Sequence, residues 1–267
     1  MSLNRLEGCL LGLACGDAVG ATVEFHPRDR FEPLTDMVGG GKFRLRAGEW
    51  TDDTSMALCL AESLLHCDGF DPRDQMERYW AWADTGHWSC RPHAFGMGKT
   101  IAGALRRYRH SGEPYAGLQT PESSGNGSLM RLAPVPMFYR DDLARAIHYS
   151  ALSSQTTHAS EDCLASCRYL AALLWSALSG EQDKAALLAS TGHLVLPETM
   201  RRIGEGAFMR KTRDEASGSG YVVDCLEAAL WAFFGTDNFR DAVLAAANLG
   251  NDADTTAAVC GQLAGAF

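Results

Sequence analysis

The sequence has little positive charge, no C-x-x-C cysteine pair and no long hydrophobic run. Its 267 residues include 24 lysines and arginines against 33 aspartates and glutamates, which gives a formal net charge of −9. This excess of acid argues against a surface built for nucleic acid, because such a surface needs clustered cations to neutralise phosphates. We therefore expect no nucleic-acid partner.

The nine cysteines are odd in number and form no C-x-x-C pair. Most of them, such as Cys9, Cys59 and Cys163, stand within apolar helical patterns. Free thiols in such places behave as small hydrophobic side chains. The pattern predicts reduced cysteines and a cytoplasmic protein.

No segment is long and apolar enough to predict a membrane span. The N-terminal run CLLGLACGDAVGATV is interrupted by Asp17 and is shorter than the about 20 residues that a transmembrane helix needs. A signal peptide is not apparent either. We expect a monomer with no membrane association.

Alternating polar and apolar residues bounded by hairpin turns, which are typical of strands, are also missing. Leucines recur instead at helical spacing, and the first run is Leu3, Leu6, Leu10 and Leu13. Similar runs begin at Met56 and Leu164. Because no linker divides the chain into two cores, the sequence predicts an all-α, single-domain multi-helix bundle over residues 1–267.

Two of the predicted helices carry rows of small residues at every fourth position. The rows are Gly8, Gly12 and Gly16 in the first helix and Ala257, Gly261 and Gly265 in the last. Each glycine inside a helix costs roughly 0.5–1 kcal/mol relative to alanine, so a row suggests compensation by close helix contact. We predict that these two helices cross tightly and bring the chain ends together at the centre of the bundle.

Two Asp/Thr clusters stand at the starts of predicted helices, TDDT at 51–54 and NDADTT at 251–256. Either cluster alone could cap a helix, since Thr and Asp side chains accept hydrogen bonds from first-turn amides. Together they hold more acid than two caps need. If the glycine rows bring the helices together, four carboxylates meet.

A meeting of carboxylates requires a cation, because two like charges ~4 Å apart repel by about 4 kcal/mol at an effective dielectric near 20. The available ligands are all oxygen atoms, with no Cys or His at matching spacing. Hard cations such as Mg²⁺ or Mn²⁺ fit this set, and zinc does not. Four carboxylates could neutralise two divalent ions, as in two-metal sites.

Five segments of this sequence match motifs of one known family, and they follow one another along the chain in the same order as in that family. They are GCLLGLACGDAVGATVEF, TDDTSMAL, GNGSLMRLAPV, SSQTTHAS and GNDADTTAAVCGQLAGAF. They resemble the ADP-ribosylglycohydrolases, including the dinitrogenase-reductase-activating glycohydrolases. The resemblance implies a mostly orthogonal all-α domain with two Mg²⁺ or Mn²⁺ ions in a deep cleft. It also implies hydrolysis of the glycosidic bond between ADP-ribose and an acceptor, on an ADP-ribosylated protein or a small ADP-ribosyl substrate, with an arginine-linked acceptor favoured.

The resemblance assigns roles to residues that match the family motifs. The implied metal ligands are Thr51, Asp52, Asp53, Asp252, Asp254 and Thr255. Glu24, in GATVEF, matches a carboxylate that serves near the metals in some relatives and is the candidate catalytic residue. The alternative for Glu24 is a charged residue that ends the first helix.

The implied substrate contacts lie in three further motifs. In GNGSLMR the glycines let backbone N–H groups approach an anionic ligand, although an ordinary turn also explains them. By resemblance this loop contacts the diphosphate and ribose, His158 lies near the pyrophosphate, and Tyr221 covers the adenine or distal ribose. The His and the Tyr could equally be structural, and Arg131 is either an ion-pair partner or a ligand. The full set is Asn126, Gly127, Ser128, Met130, Ser154, His158 and Tyr221.

Two features depart from the family pattern. Arginine-specific members carry Phe-Asp-aliphatic-Gly about where this chain reads HAFGMGKT, so Gly96 replaces an acid thought to position the leaving group. The alternative function is therefore a non-catalytic, metal-dependent module that binds ADP-ribose or another nucleotide. The sequence also ends at Phe267, where relatives usually continue with more helix, so we expect a domain that is short at its C-terminus.

Overall fold

The computed structural model describes residues 2–267, and in this range the regular structure is helical. Only three isolated β-bridges accompany the helices over the described residues. The twelve α-helices of this range are α1 Leu3–Gly20, α2 Asp52–His66, α3 Pro72–Thr85, α4 Lys99–Ser111, α5 Pro134–Phe138, α6 Leu143–Gln155, α7 Glu161–Leu178, α8 Lys184–Ala189, α9 Arg201–Gly204, α10 Val222–Phe234, α11 Phe239–Ala247 and α12 Ala253–Ala266. The predicted all-α fold is confirmed.

Local sequence signals set several helix ends. Asp71 accepts hydrogen bonds from the backbone N–H groups of Arg73 and Asp74 at 2.8 and 3.0 Å, and Pro72 occupies the first position of α3. Gly86 ends the same helix in the left-handed region, with φ 75°. A side-chain cap, proline at the first turn and glycine just past the end are the usual boundaries of a helix.

The first and last helices pack along a seam of small residues. A Cβ added to Gly8, Gly12 or Gly16 would lie 2.1–2.2 Å from a backbone carbonyl oxygen of α12. The opposing residues are Gly265, Gly261 and Ala257, and Gly20 faces Ala253 in the same way. The predicted close contact is confirmed. The pairs run in opposite order along the two helices, so α1 and α12 are antiparallel over successive turns rather than crossing at one point.

This seam sets the position of both chain segments that leave it. Because the end of α1 lies against the start of α12, the turn after α1 meets the loop before α12. The Phe25 N–H donates to the Asn251 carbonyl oxygen at 2.7 Å, and the Asn251 N–H donates to the His26 carbonyl oxygen at 2.8 Å. Glu24 is thereby held beside the second Asp/Thr cluster.

Two groups of buried apolar side chains make up most of the core. One is built mainly from α1, α7, α10, α11 and α12, and the other from α2, α3, α4, α5 and α6. In the part of the chain that the structure describes, no helix is long and apolar enough to cross a membrane. The nine cysteines are unpaired and six of them are buried, as their apolar surroundings predict.

Candidate active site

A cleft of about 820 Å³ opens where the end of α1 meets the starts of α2 and α12. Five carboxylate side chains line it: Glu24, Asp52, Asp53, Asp252 and Asp254. Glu24 lies in the turn after α1, Asp52 and Asp53 begin α2, Asp252 is the N-cap of α12, and Asp254 is in its first turn. The two acidic clusters are far apart in sequence and share one site.

Helix capping does not explain these acids. Neither Thr51 nor Asp252, the N-cap residues of α2 and α12, makes a side-chain capping hydrogen bond. Asp17 of α1 caps α2 instead. Its buried carboxylate accepts from the N–H and hydroxyl of Thr51, at 3.0 and 2.8 Å, and from the same groups of Thr54, at 3.0 and 2.6 Å. Asp52 and Asp53 are therefore not required as caps.

The remaining carboxylates are close together, and two of their oxygens lack a partner within the protein. One oxygen each of Glu24, Asp252 and Asp254 lies within 4.8 Å of the other two. Glu24 Oε2 and Asp53 Oδ1 are buried and make no hydrogen bond within the protein. A buried charge without a partner is costly, whereas oxygen ligands at this spacing suit a hard divalent cation. The residues present therefore fit a metal site.

The electrostatics lead to the same conclusion. Burial, with the nearby charges of Asp52 and Asp252, raises the pKa of Glu24 to about 8. Burial and Asp17 raise the pKa of Asp52 to about 7. The pKa values of Asp53 and Asp254 are also raised well above their usual range, first by burial and then by neighbouring carboxylates. Such mutual repulsion is relieved when a cation binds among the carboxylates.

The two threonines among the predicted metal ligands differ in position. Thr255 lines the cleft, and its backbone N–H donates to Asp254 Oδ1 at 2.9 Å. Thr51 lies behind the cleft wall, where its hydroxyl contacts Asp17 Oδ1 at 2.8 Å and Asp53 Oδ2 at 3.3 Å. In this arrangement Thr51 orients carboxylates and does not face the cleft.

The glycine-rich loop forms a second side of the cleft. Gly125, Asn126, Gly127 and Met130 all line it. The Asn126 Nδ2 group donates to Asp252 Oδ2 at 2.7 Å, which ties the loop to the carboxylates. The loop also packs on His158, because a Cβ at Gly127 would lie only 2.9 Å from His158 Cε1.

Three predicted substrate contacts lie outside the cleft wall. The Ser154 hydroxyl lies 2.8 Å from Ser128 Oγ and 2.8 Å from the His158 carbonyl oxygen, so both serines support the loop from behind. The Tyr221 hydroxyl donates to Asp162 Oδ2 at 2.6 Å, and its backbone pairs with Gly125. Their roles in substrate binding stay predictions.

A buried chain of hydrogen bonds fixes the His158 ring. Arg131 Nη2 donates to Thr157 Oγ1 at 2.7 Å, and Thr157 Oγ1 lies 2.8 Å from His158 Nδ1. Since the guanidinium only donates, and His158 Nδ1 is the one acceptor within hydrogen-bond distance of the Thr157 hydroxyl among the described residues, we assign the hydroxyl proton to Nδ1, so that Nε2 carries the ring proton. Burial and the Arg131 charge lower the pKa of His158 to about 3. A neutral histidine therefore presents an N–H donor beside Gly125.

Arg131 serves neither of the two roles considered for it. It is buried, lies outside the cleft wall, and places its guanidinium carbon 4.4 Å from the centre of the Tyr79 ring. Its polar contacts are to Thr157 Oγ1, more distantly to Thr156 Oγ1, and to the Met56 sulfur. Arg131 therefore acts on the site through Thr157 and His158.

Replacing Thr157 by valine should disturb this tautomer, because valine has the same shape and no hydroxyl. We expect His158 Nδ1 to gain proton occupancy in the ring ¹⁵N NMR spectrum and ADP-ribose to bind about 10-fold more weakly, the loss typical of one hydrogen bond. Thr157→Ser keeps the hydroxyl and should resemble the wild type. A proton already on Nδ1 in the wild type would contradict the assignment.

Gly96 occupies a restricted place beside the acids. Its φ is +83°, and a Cβ there would lie 2.3 Å from Asp52 Oδ1. An aspartate at this position would collide with the Asp52 carboxylate and repel it. This chain therefore has Gly96 where the family pattern has an acid, and the Asp52 carboxylate lies directly against that glycine.

Comparison with known proteins identifies the family. The family model described as ADP-ribosylglycohydrolase matches residues 2–267. The chain belongs to the ADP-ribosylglycohydrolase family. It is 45% identical to the ADP-ribosylarginine hydrolase Tri1 of Serratia proteamaculans, over 100% of this chain and 72% of that protein. The corresponding protein of Pseudomonas putida is 47% identical, with 100% and 71% covered.

More distant relatives agree with this family. The ADP-ribosyl-[dinitrogen reductase] glycohydrolase of Rhodospirillum rubrum is 32% identical, over 98% of this chain and 85% of that protein. A solved structure titled "ADP-ribosylglycohydrolase-related protein complex" superimposes with a TM-score of 0.87 at 44% identity, covering 99% of this chain and 87% of that one. The prediction of an enzyme of the ADP-ribosylglycohydrolase family is confirmed.

Proposed function

We propose that this chain is a metal-dependent ADP-ribosylarginine hydrolase, which cleaves the bond between the anomeric carbon of ADP-ribose and a guanidinium nitrogen of arginine. The observation that carries the proposal is the meeting of Glu24 with both acidic clusters in one cleft. The names of the two relatives with 45% and 47% identity favour arginine as the acceptor. The domain would occupy residues 1–267 and act as a monomer on an ADP-ribosylated protein or a small ADP-ribosyl substrate.

The metal site would take two Mg²⁺ or Mn²⁺ ions. Their ligands would come from Asp52, Asp53, Asp252, Asp254 and Thr255, while Thr51, which was also a predicted ligand, would orient the Asp53 carboxylate from behind the cleft wall. When bound, the ions would supply Lewis acidity and fixed positive charge. The unpaired oxygens of Glu24 and Asp53 and the oxygen-only ligand set support this assignment.

The chain's own groups would bind and orient the substrate and handle the proton. A glycosidic bond breaks through an oxocarbenium-like state, and a carboxylate close to the anomeric carbon assists by moving a proton. Glu24, whose buried Oε2 has no hydrogen-bond partner and whose carboxylate lies close to Asp252 and Asp254, is suited to that role. The backbone N–H groups of Gly125 and Gly127 and His158 Nε2 would donate to the diphosphate, with Ser128, Met130 and Ser154 shaping the loop. Tyr221 would cover the adenine or distal ribose.

A second candidate function is a metal-dependent module that binds ADP-ribose without cleaving it. Gly96 favours this alternative, because the acid that family members use near the leaving group is missing. The two functions differ in one measurable product, which is free ADP-ribose.

The decisive test combines turnover with one isosteric substitution. Purified protein with Mg²⁺ or Mn²⁺ should release ADP-ribose from a peptide ADP-ribosylated on arginine, followed by mass spectrometry. Chelation should stop the release, and Glu24→Gln should reduce kcat by at least about 100-fold, the usual contribution of a positioned acid or base. Binding without release would favour the module instead, and turnover that survives chelation would refute metal dependence.

A further inference from the structure

One side of the cleft is aromatic and has no role in the mechanism above. Phe25, Lys42 and Phe43 line it together with the carboxylates. Phe25 is open to solvent, with 57% of the residue exposed. The centre of its ring lies 6.4 Å from the centre of the Phe43 ring. Phe43 in turn packs on Phe95 at 5.2 Å. An exposed ring at a cleft mouth is available to a ligand.

Phe25 is held in an unfavourable backbone conformation. Its φ is +66°, a region that a bulky residue enters at a cost of roughly 1–2 kcal/mol. The hydrogen bond from its N–H to the Asn251 carbonyl oxygen, at 2.7 Å, maintains this geometry. Strain of this kind concentrates at functional sites. The result is a ring fixed directly after Glu24, the candidate catalytic residue.

The ring face already attracts a cation. Lys42 Nζ lies 4.1 Å from the centre of the Phe25 ring and 5.8 Å from that of Phe43. A positive group over an aromatic face is bound by the ring's quadrupole. A planar guanidinium, which is weakly hydrated and stacks on aromatic rings, suits this face better than a strongly hydrated ammonium.

The aromatic side adjoins Glu24, which directly precedes Phe25, whereas the glycine-rich loop adjoins Asp252. Phe95 precedes Gly96, which abuts Asp52, whereas Asn126 of the loop donates to Asp252. Both sides therefore border the same carboxylates within one cleft. With the diphosphate on the loop, the acceptor would leave the anomeric carbon toward the aromatic rings.

We infer that Phe25 and Phe43 form the acceptor subsite, in which the guanidinium of the ADP-ribosylated arginine stacks on Phe25 and displaces the Lys42 ammonium. This inference rests on the proposed hydrolase function. Recognition by a ring face needs no acid at position 96. A side chain at Gly96 would also meet Asp52, since a Cβ there would lie 2.3 Å from Asp52 Oδ1.

The test is a matched pair of substitutions at one position. Phe25→Leu keeps apolar bulk and removes the ring face, while Phe25→Tyr keeps the ring. With an arginine-linked peptide, Phe25→Leu should raise KM by roughly 5- to 30-fold, in line with a cation–π contact, and Phe25→Tyr should not. Free ADP-ribose, measured by calorimetry, should bind both variants as it binds the wild type. Lys42→Ala should lower KM, because a competing cation is removed.

The outcomes separate the inference from the function on which it rests. If the wild type releases no ADP-ribose from the arginine-linked peptide, the proposed function fails and the subsite with it. If the wild type is active but Phe25→Leu has an unchanged KM, or loses affinity for free ADP-ribose to the same extent, the subsite alone is overturned. A higher KM in Lys42→Ala would also overturn it, since Lys42 would then assist binding.

Discussion

Asp254→Asn should reduce kcat/KM on an arginine-linked peptide by at least about 100-fold, because even groups that only support metal ligands contribute 10- to 100-fold. The same change should raise the melting temperature of the metal-free protein. Burial, followed by the charges of Glu24, Asp53 and Asp252, raises the pKa of Asp254 well above its usual range, so an amide at this position removes the cost of holding an ionisable group there. Stability and activity are thus expected to move in opposite directions.

The measurement is a set of melting curves with and without Mg²⁺ or Mn²⁺, alongside turnover. Ligand present at about 100 times its Kd stabilises a protein by about 2.7 kcal/mol, so the wild type should melt several degrees higher with the ion. Asp254→Asn should lose most of that gain. Asp141→Asn, which neutralises an exposed acid before α6, is the control and should match the wild type in each assay. An ion-dependent gain that survives in Asp254→Asn would contradict the metal site.

The second large effect is expected at the helix seam. In Gly261→Ala the new Cβ would lie 2.0 Å from the Gly12 carbonyl oxygen, and the contact is backbone on both sides. The two helices would have to separate, and we expect a loss of more than about 3 kcal/mol in the free energy of unfolding. Urea unfolding followed by circular dichroism measures this loss.

Gly103→Ala in the middle of α4 is the matched control for that substitution. The nearest atom to its Cβ is the end of the flexible Arg107 side chain, at 3.2 Å. Because alanine has the higher helix propensity, this variant should gain up to about 1 kcal/mol. If Gly261→Ala is too unstable to purify, Gly8→Ala tests the same seam at its outer end, where the helices can move apart. Equal stability of the Gly261, Gly8 and Gly103 variants would refute the tight seam.

The parts of the fold that depend on periodicity could be predicted from the sequence. Leucine spacing indicated α1, α2 and α7, and the spacing of glycines indicated the pairing of α1 with α12. That pairing in turn predicted that Asp53 and Asp254 line one cleft. These inferences succeed because a repeat at helical spacing places its residues on one face, and residues without side chains leave room only for another backbone.

Contacts between distant side chains and backbone could not be predicted in this way. Asp17 looked like an interruption of an apolar run, and its role as the cap of α2 appears only when the two helices are placed together. The same applies to Arg131, whose contact with Thr157 depends on how the loop packs on α6. The sequence did contain a signal for the role of Asp17. It is an acid in a helix whose neighbouring residues are glycine and apolar, and a buried charge in such a place must have hydrogen-bond partners.

The seam also has a consequence for how the enzyme is made. Its two helices are the first and last of the described chain, so α1 leaves the ribosome long before its partner has been synthesised. Contacts of such large sequence separation form late, since loop closure must come first. An unfinished chain would carry the carboxylates of 51–54 without those of 251–256. Synthesis through α12 is therefore required before the carboxylates of the two clusters can meet.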